Sequence, residues 1–147
     1  MQPDIPNSFY RVSAKALILD ETRTKFLIIL EDNGLWEIPG GGLDWGETPQ
    51  ECIKRELHEE MGLTATEVST TPSYFLVGKN MKAAWSVNVI FETKIKDLNF
   101  IPSPECLEMR FVSPSEVTAI ENAFRTVQEL GKLFNPREAK EWRNMII

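Results

Sequence analysis

Histidine is nearly absent from this chain and cysteine is scarce: His58 stands alone, and Cys52 and Cys106 are the only thiols in 147 residues. Ser-His or Cys-His catalysis therefore has one imidazole to draw on, and thiolate zinc sites or a disulfide framework lack the residues they need. Long apolar runs are missing too. None approaches the roughly eighteen residues of a membrane span. The opening MQPDIPNSFYRV has neither the charged n-region nor the apolar h-region of an export signal, so a cytoplasmic protein is expected. Cations are outnumbered, 16 Lys and Arg against 22 Asp and Glu for a net charge of −6, which argues against broad attraction to nucleic-acid polymers. Any phosphate this protein meets is expected to arrive with a cation.

What is present suits one domain over residues 1–147, with 42% hydrophobic and 26% charged residues. RVSAKALILD, Arg11 to Asp20, sets Val12, Ala14, Ala16 and Ile18 on one face. KFLIILE, Lys25 to Glu31, is apolar on both, and the ETRT between them suits a hairpin. An Asp32-Asn33-Gly34 turn leads to LWEIP. Strands are expected again at Ser73 to Val77, Ala83 to Thr93 and Glu108 to Val112, the last after a loop marked by Pro102 and Pro104. Ser113-Pro114-Ser115-Glu116 reads as a capping box, and the chain from Ser115 onward as helical, interrupted near Gly131 and at Asn135-Pro136. Strands, helix, strands, then helices give an α+β chain, an α/β/α sandwich.

The densest information lies in GGGLDWGETPQECIKRELHEEMGL, Gly40 to Leu63, which carries five glutamates between Glu47 and Glu60. Thr48-Pro49-Gln50-Glu51 supplies an N-cap, a proline at the first helical position and a capping-box glutamate. At about 100° per residue, Glu56, Glu59 and Glu60 share an arc of roughly 100°, beside an apolar stripe of Ile53, Leu57 and Met61. A solvated face explains most charge runs but fits this one poorly. Like charges at i,i+3 and i,i+4 repel, and Glu59 and Glu60 sit near the helix C-terminus, where the dipole opposes them. A hard divalent cation, Mg²⁺ with Mn²⁺ as a substitute, would neutralise the cluster through oxygen ligands and share it with phosphates. The Gly40-Gly41-Gly42 run would let backbone come close to such a site.

These residues resemble the Nudix box, G-x5-E-x7-R-E-U-x-E-E-x-G-U with U aliphatic. Gly41, Glu47, Arg55, Glu56, Leu57, Glu59, Glu60, Gly62 and Leu63 fill every specified position. A chance match has odds on the order of one in ten million, so the resemblance is specific. It implies a Nudix-type α/β/α sandwich with a mixed sheet and a loop-helix-loop catalytic motif. By the same resemblance Glu56, Glu59 and Glu60 bind the cation, the Gly41 carbonyl is a further ligand, and a Glu47–Arg55 salt bridge holds loop to helix. Glu56 is the first choice for general base. Glu105 is the alternative and the candidate for an extra carboxylate from outside the box, with Glu108 second.

The implied reaction is Mg²⁺-dependent hydrolysis of a nucleoside diphosphate linked to another moiety, foremost a nucleoside triphosphate cut to monophosphate and pyrophosphate. Downstream positions where many ADP-ribose hydrolases carry a proline and many dinucleoside polyphosphate hydrolases a tyrosine hold Gly78 and Asn80, so neither mark is present. Nucleotide sugars, ADP-ribose or RNA 5′ ends are the alternative substrates, and a silent nucleotide-binding module is the non-enzymatic alternative. Trp36, Phe75, Trp85 and Phe91 are candidates for stacking on a base, although strand aromatics are more often core. Lys15 is expected on the outer face of its strand, facing phosphate or solvent. NPREAKEWRNMII, with Trp142, Met145 and Ile146 on one edge, reads as an amphipathic helix that docks on its own domain or in a homodimer.

Overall fold

The computed structural model describes residues 9–136. Among the described residues eight strands form two sheets. β1 (Arg11–Leu17), β4 (Gly40–Gly42), β5 (Ala65–Val68), β6 (Tyr74–Lys79) and β7 (Trp85–Ile95) make a mixed five-stranded sheet. In it β1 runs parallel to β7 and antiparallel to β4, while β6 and β5 pair in turn with successive stretches of β7. β2 (Phe26–Glu31), β3 (Trp36–Glu37) and β8 (Cys106–Val112) make an antiparallel sheet with β2 at its centre. Among the described residues no helix is long and apolar enough to cross a membrane.

The sheets are packed between helices, as the two-sided apolar pattern of β2 demands. Phe26 and Ile28 join a core with α2 (Pro114–Val117) and α3 (Arg125–Leu133), built on Trp36, Val127, Leu130 and Phe134. Leu27 and Ile29 join a second core with α1 (Pro49–Met61), built on Ala14, Ala16, Ile53, Leu57 and Met61. Residues one apart on a strand point to opposite faces, so each core takes alternate side chains of β2. The result is the α/β/α sandwich the sequence implies.

Several expectations are corrected in detail. The Asp20–Lys25 turn is closed like a hairpin, with Asp20 N–H donating to the Lys25 carbonyl at 3.0 Å and a bridge between Leu19 and Phe26. β1 and β2 then part into different sheets, because β4 and β7 occupy both edges of β1. Lys15 is 8% exposed rather than on an open face. Its strand is central and covered on both sides. β5 has no alternating pattern to announce it and pairs with the end of β7. The region after Ser113 is not one interrupted helix: α2 stops at Val117, and α3 runs unbroken through Gly131. A Cβ at Gly131 would stand 3.0 Å from Val117 Cγ1, so the glycine allows α2 and α3 to approach closely. The expected C-terminal amphipathic helix lies beyond the described residues.

α1 is positioned by its ends. Thr48 Oγ1 accepts from Glu51 N–H at 3.2 Å while Glu51 Oε2 accepts from Thr48 N–H at 3.0 Å, and Gly62 takes the left-handed conformation at φ 63°. Cys52, Ile53, Leu57 and Met61 fix its roll by burial. That leaves Arg55, Glu56, Glu59 and Glu60 on the edge facing the glycine strand and the end of β2.

Candidate active site

Arg55 is the hub of this edge. Its Nε and Nη2 donate to the two oxygens of Glu47 at 2.7 and 2.9 Å, a bidentate pair that ties the loop before α1 to the helix. Nη1 donates to Glu56 Oε1 at 2.8 Å and more loosely to Glu59 Oε2 at 3.3 Å, and Nη2 reaches the Gly42 carbonyl at 3.4 Å. The hydrogen bonds from Arg55 hold the Glu47 carboxyl at a pKa of about 2. Glu47, foremost, and Glu56 raise the guanidinium pKa against the effect of partial burial.

Glu56 lies directly under the glycine strand. A Cβ at Gly41 would stand 2.6 Å from Glu56 Cδ, so any side chain there displaces the carboxylate, and a Cβ at Gly40 would collide with the Ala14 carbonyl. Gly40, at φ 128°, is also required by its backbone. Gly41 has no such requirement. Gly41→Ala is therefore expected to keep the fold, as read by circular dichroism, and to lower activity by at least the tenfold to hundredfold typical of disturbing a ligand's support. An unchanged rate would contradict this geometry.

Glu60 is half-buried beside Glu56. Burial first, then a hydrogen bond with Glu56 and its charge, push the Glu60 carboxyl well above the usual range, with Lys15 opposing and Glu31 adding to the shift. The charge of Glu56 acts against that of Glu60, a repulsion that a bound cation would relieve. Glu31 is the member that sequence reasoning missed. It ends β2 opposite Cys106, at a register shift between Leu30 and Glu31. Burial raises its pKa; Lys15 lowers it, and Glu37, Asp32 and Glu105 raise it further. Cys106 lies by both acids: burial, then Glu60 and Glu31, lift its thiol to about 12. No local pattern marks Glu31, because it enters the site only through the pairing of β2 with β8.

The other candidates are distributed as follows. Glu105 is exposed in its loop and acts on Glu31 by charge. Glu108 lies in β8, opposite Leu30 and exposed. It alternates with Met109 and Phe111, which pack into the α1 core, so it faces away from that core. His58 is exposed, and Cys52 is fully buried with its thiol donating to the Gly41 carbonyl at 3.4 Å. Among the described residues no trio of acidic, thiol or imidazole groups forms a ready cation cage. Glu59 is engaged by Arg55, and Glu56 is divided between Arg55 and Glu60.

A cleft of about 500 Å³ opens from Glu31, with Arg11, Glu37, Met81, Lys82 and Phe124 among its walls. None of the four aromatic residues considered for stacking lines it. Trp36 and Phe91 are core, while Phe75 and Trp85 are exposed on β6 and β7, on the sheet face opposite Lys15. Phe124 reaches the cleft as the residue before α3.

The NUDIX domain family model matches residues 9–134, most of the chain and the whole of the site. The chain belongs to the Nudix hydrolase family. A relative named RNA pyrophosphohydrolase, from Francisella tularensis subsp. mediasiatica (strain FSC147), is 36% identical over 69 residues, 47% of this chain and 44% of the relative. The aligned stretch thus spans less than half of that relative. The MutT protein of Methanosarcina mazei Go1 superposes with a TM-score of 0.72 at 22% identity, over 91% of this chain and 98% of that one. The NUDIX domain of Shewanella oneidensis NrtR, solved with ADP ribose, superposes with a TM-score of 0.65 at 17% identity, over 91% of this chain and 88% of that one. At those identities the likeness is one of Nudix fold.

Proposed function

We propose that this Nudix chain hydrolyses the phosphoric anhydride of a nucleoside diphosphate derivative, foremost a nucleoside triphosphate, to a monophosphate and pyrophosphate. The observation that carries the reading is the approach of Glu56, Glu60 and Glu31 to one another near Gly41, with Glu31 also lining a cleft of about 500 Å³. The donor chemistry fits Mg²⁺. Every available group is oxygen, the two nearby thiols are held protonated, and Glu56 and Glu60 repel each other where a cation would relieve them. Glu56, Glu59, Glu60 and the Gly41 carbonyl would hold the cation, which when bound supplies charge neutralisation for the phosphates and acidifies water.

The chain's own residues do the rest. Glu56 takes the proton of the attacking water as its oxygen bonds to phosphorus and the bridging P–O bond breaks, with Glu105 as the alternative base. Arg55 fixes the orientation of Glu56, and its grip on Glu47 keeps the loop in place. Glu31 is the extra carboxylate that completes the cluster. Arg11, whose guanidinium lies against Gly42, and Lys82 offer positive charge to the phosphates along the cleft.

A second reading is supported by the 36% identity to a protein named RNA pyrophosphohydrolase: removal of phosphates from an RNA 5′ end. One panel separates the two. With Mg²⁺ and then EDTA, we would test ordinary and oxidised nucleoside triphosphates, ADP-ribose, nucleotide sugars and 5′-triphosphorylated RNA, identifying products by mass. Metal-dependent release of a nucleoside monophosphate is expected. Preference for the RNA, with an affinity that falls as salt rises, would favour the second reading. Silence from folded protein would count against both.

A further inference from the structure

We infer that the bare end of the five-stranded sheet, on the face that α1 covers only in part, is where two copies of this chain pack against each other. Strand register assembles the patch. Val12, Val87 and Val77 lie side by side across β1, β7 and β6, and Phe75 lies opposite Val89 one step along. At the other end Trp85 stands opposite Lys79, its ring centroid 6.4 Å from that of Tyr10. These strand residues share the face that carries Ala14, Ala16 and Phe91 into the α1 core. There the covering stops: Phe75 is 64% exposed, Tyr10 51% and Trp85 50%. A sheet face that met only water would alternate to polar residues at these positions.

Area and charge point to the occupant. Half-exposed aromatics offer on the order of 100 Å² each, so with the valines the patch amounts to roughly 500 Å². Phe9 and Trp45 are more exposed still. Phe9 precedes Tyr10, and Trp45 follows Leu43, whose N–H donates to the Val12 carbonyl at 3.0 Å. With these two at its margin the patch nears the ~800 Å² that each partner of a standard interface contributes, and exceeds what a typical monomer leaves bare. Lys79 is the one charged residue in this register, and its Nζ lies over the Trp85 ring, 5.4 Å from the centroid. A nucleic-acid strand stacking on aromatics requires a positive track beside them, which one lysine on a chain of net charge −6 does not supply. An aromatic face poor in charge is complementary to itself across a two-fold axis. The free edge of β6 is guarded at Val77, whose carbonyl accepts from Arg125 Nη1 of α3 at 3.4 Å, with the guanidinium against Gly78. Edge-to-edge strand addition is thereby opposed, so the copies meet face to face.

Sedimentation of the full chain in EDTA without nucleotide tests this independently of any hydrolysis. The range would be about 1 to 200 µM, since interfaces near this size bind at micromolar affinity or tighter. Wild type is expected to pass from monomer to a particle of twice the 16.8 kDa chain mass. Phe75→Arg and Trp85→Arg, shown folded by circular dichroism, are each expected to weaken association roughly thirtyfold or more, the loss of a central aromatic anchor. Should either fail to fold, Phe75→Ser, which removes the ring without adding charge, is read in its place, with a loss of roughly tenfold expected. A wild type that stays monomeric throughout, or a dimer that the folded variants keep, would overturn the inference. So would a fluorescent oligouridylate bound by monomeric wild type and lost by the same variants, because the face would then serve a nucleic acid.

Discussion

Replacing Glu60 by glutamine is expected to lower turnover on the order of a thousandfold, because several kcal/mol of charge stabilisation depend on the cation it helps to hold. The same change should raise the melting temperature in EDTA. Burial and Glu56 hold the Glu60 carboxyl above its usual range, and the sign of the effect follows. With the folded pKa raised, the folded state binds more protons than the unfolded one between the two values, so stability present at acid pH is lost as pH rises through that window. In EDTA the wild type should therefore melt at progressively lower temperature as pH climbs above the ordinary carboxylate range, and Mg²⁺ should restore most where the loss is greatest. Glu60→Gln should show a flatter profile and little response to Mg²⁺. A destabilised glutamine variant that still responds to Mg²⁺ would remove Glu60 from the site.

Arg55→Met is the second large effect, and its balance is the reverse. Arg55 serves Glu47, Glu56 and Glu59 at once, so its loss frees the loop and leaves Glu47 in the loop and Glu56 and Glu59 on the helix edge without their shared cation. Activity should fall by roughly a hundredfold or more, at or beyond the upper end for residues that orient a site's ligands. Stability should fall with it, unlike the Glu60 variant. The acid limb of stability isolates the Glu47 partner. Its folded pKa of about 2 lies below the unfolded carboxylate value, so its contribution is complete above the unfolded pKa and is lost as pH falls toward 2. Glu47→Gln should remove that part of the acid dependence and leave the alkaline side alone. A variant Arg55→Met with normal melting would break the link between loop and helix argued here.

Features governed by neighbours in sequence were legible before the structure. The caps at Thr48 and Ser113, the left-handed Gly62, the apolar stripe of α1 and the two-sided burial of β2 each follow from chemistry within one or two turns. What escaped depends on pairings between distant strands. Lys15 looked like an outward residue until β4 and β7 closed on both edges of β1. Glu31 looked like the polar end of an apolar strand until β8 brought Cys106 beside it and set it near Glu60. Glu108, the second candidate after Glu105, alternates in β8 with Met109 and Phe111, which pack into the α1 core, and so faces away from it.

The central claim is that the carboxylate edge of α1 is a cation site serving phosphoric anhydride hydrolysis. Titration with Mn²⁺, followed by electron paramagnetic resonance on wild type and on the Glu60→Gln and Glu59→Gln variants, tests it most directly. The account predicts Mn²⁺ bound by wild type, displaced by Mg²⁺, and weakened at least tenfold in both folded variants. Equal binding by all three proteins would place the cation elsewhere and contradict the account.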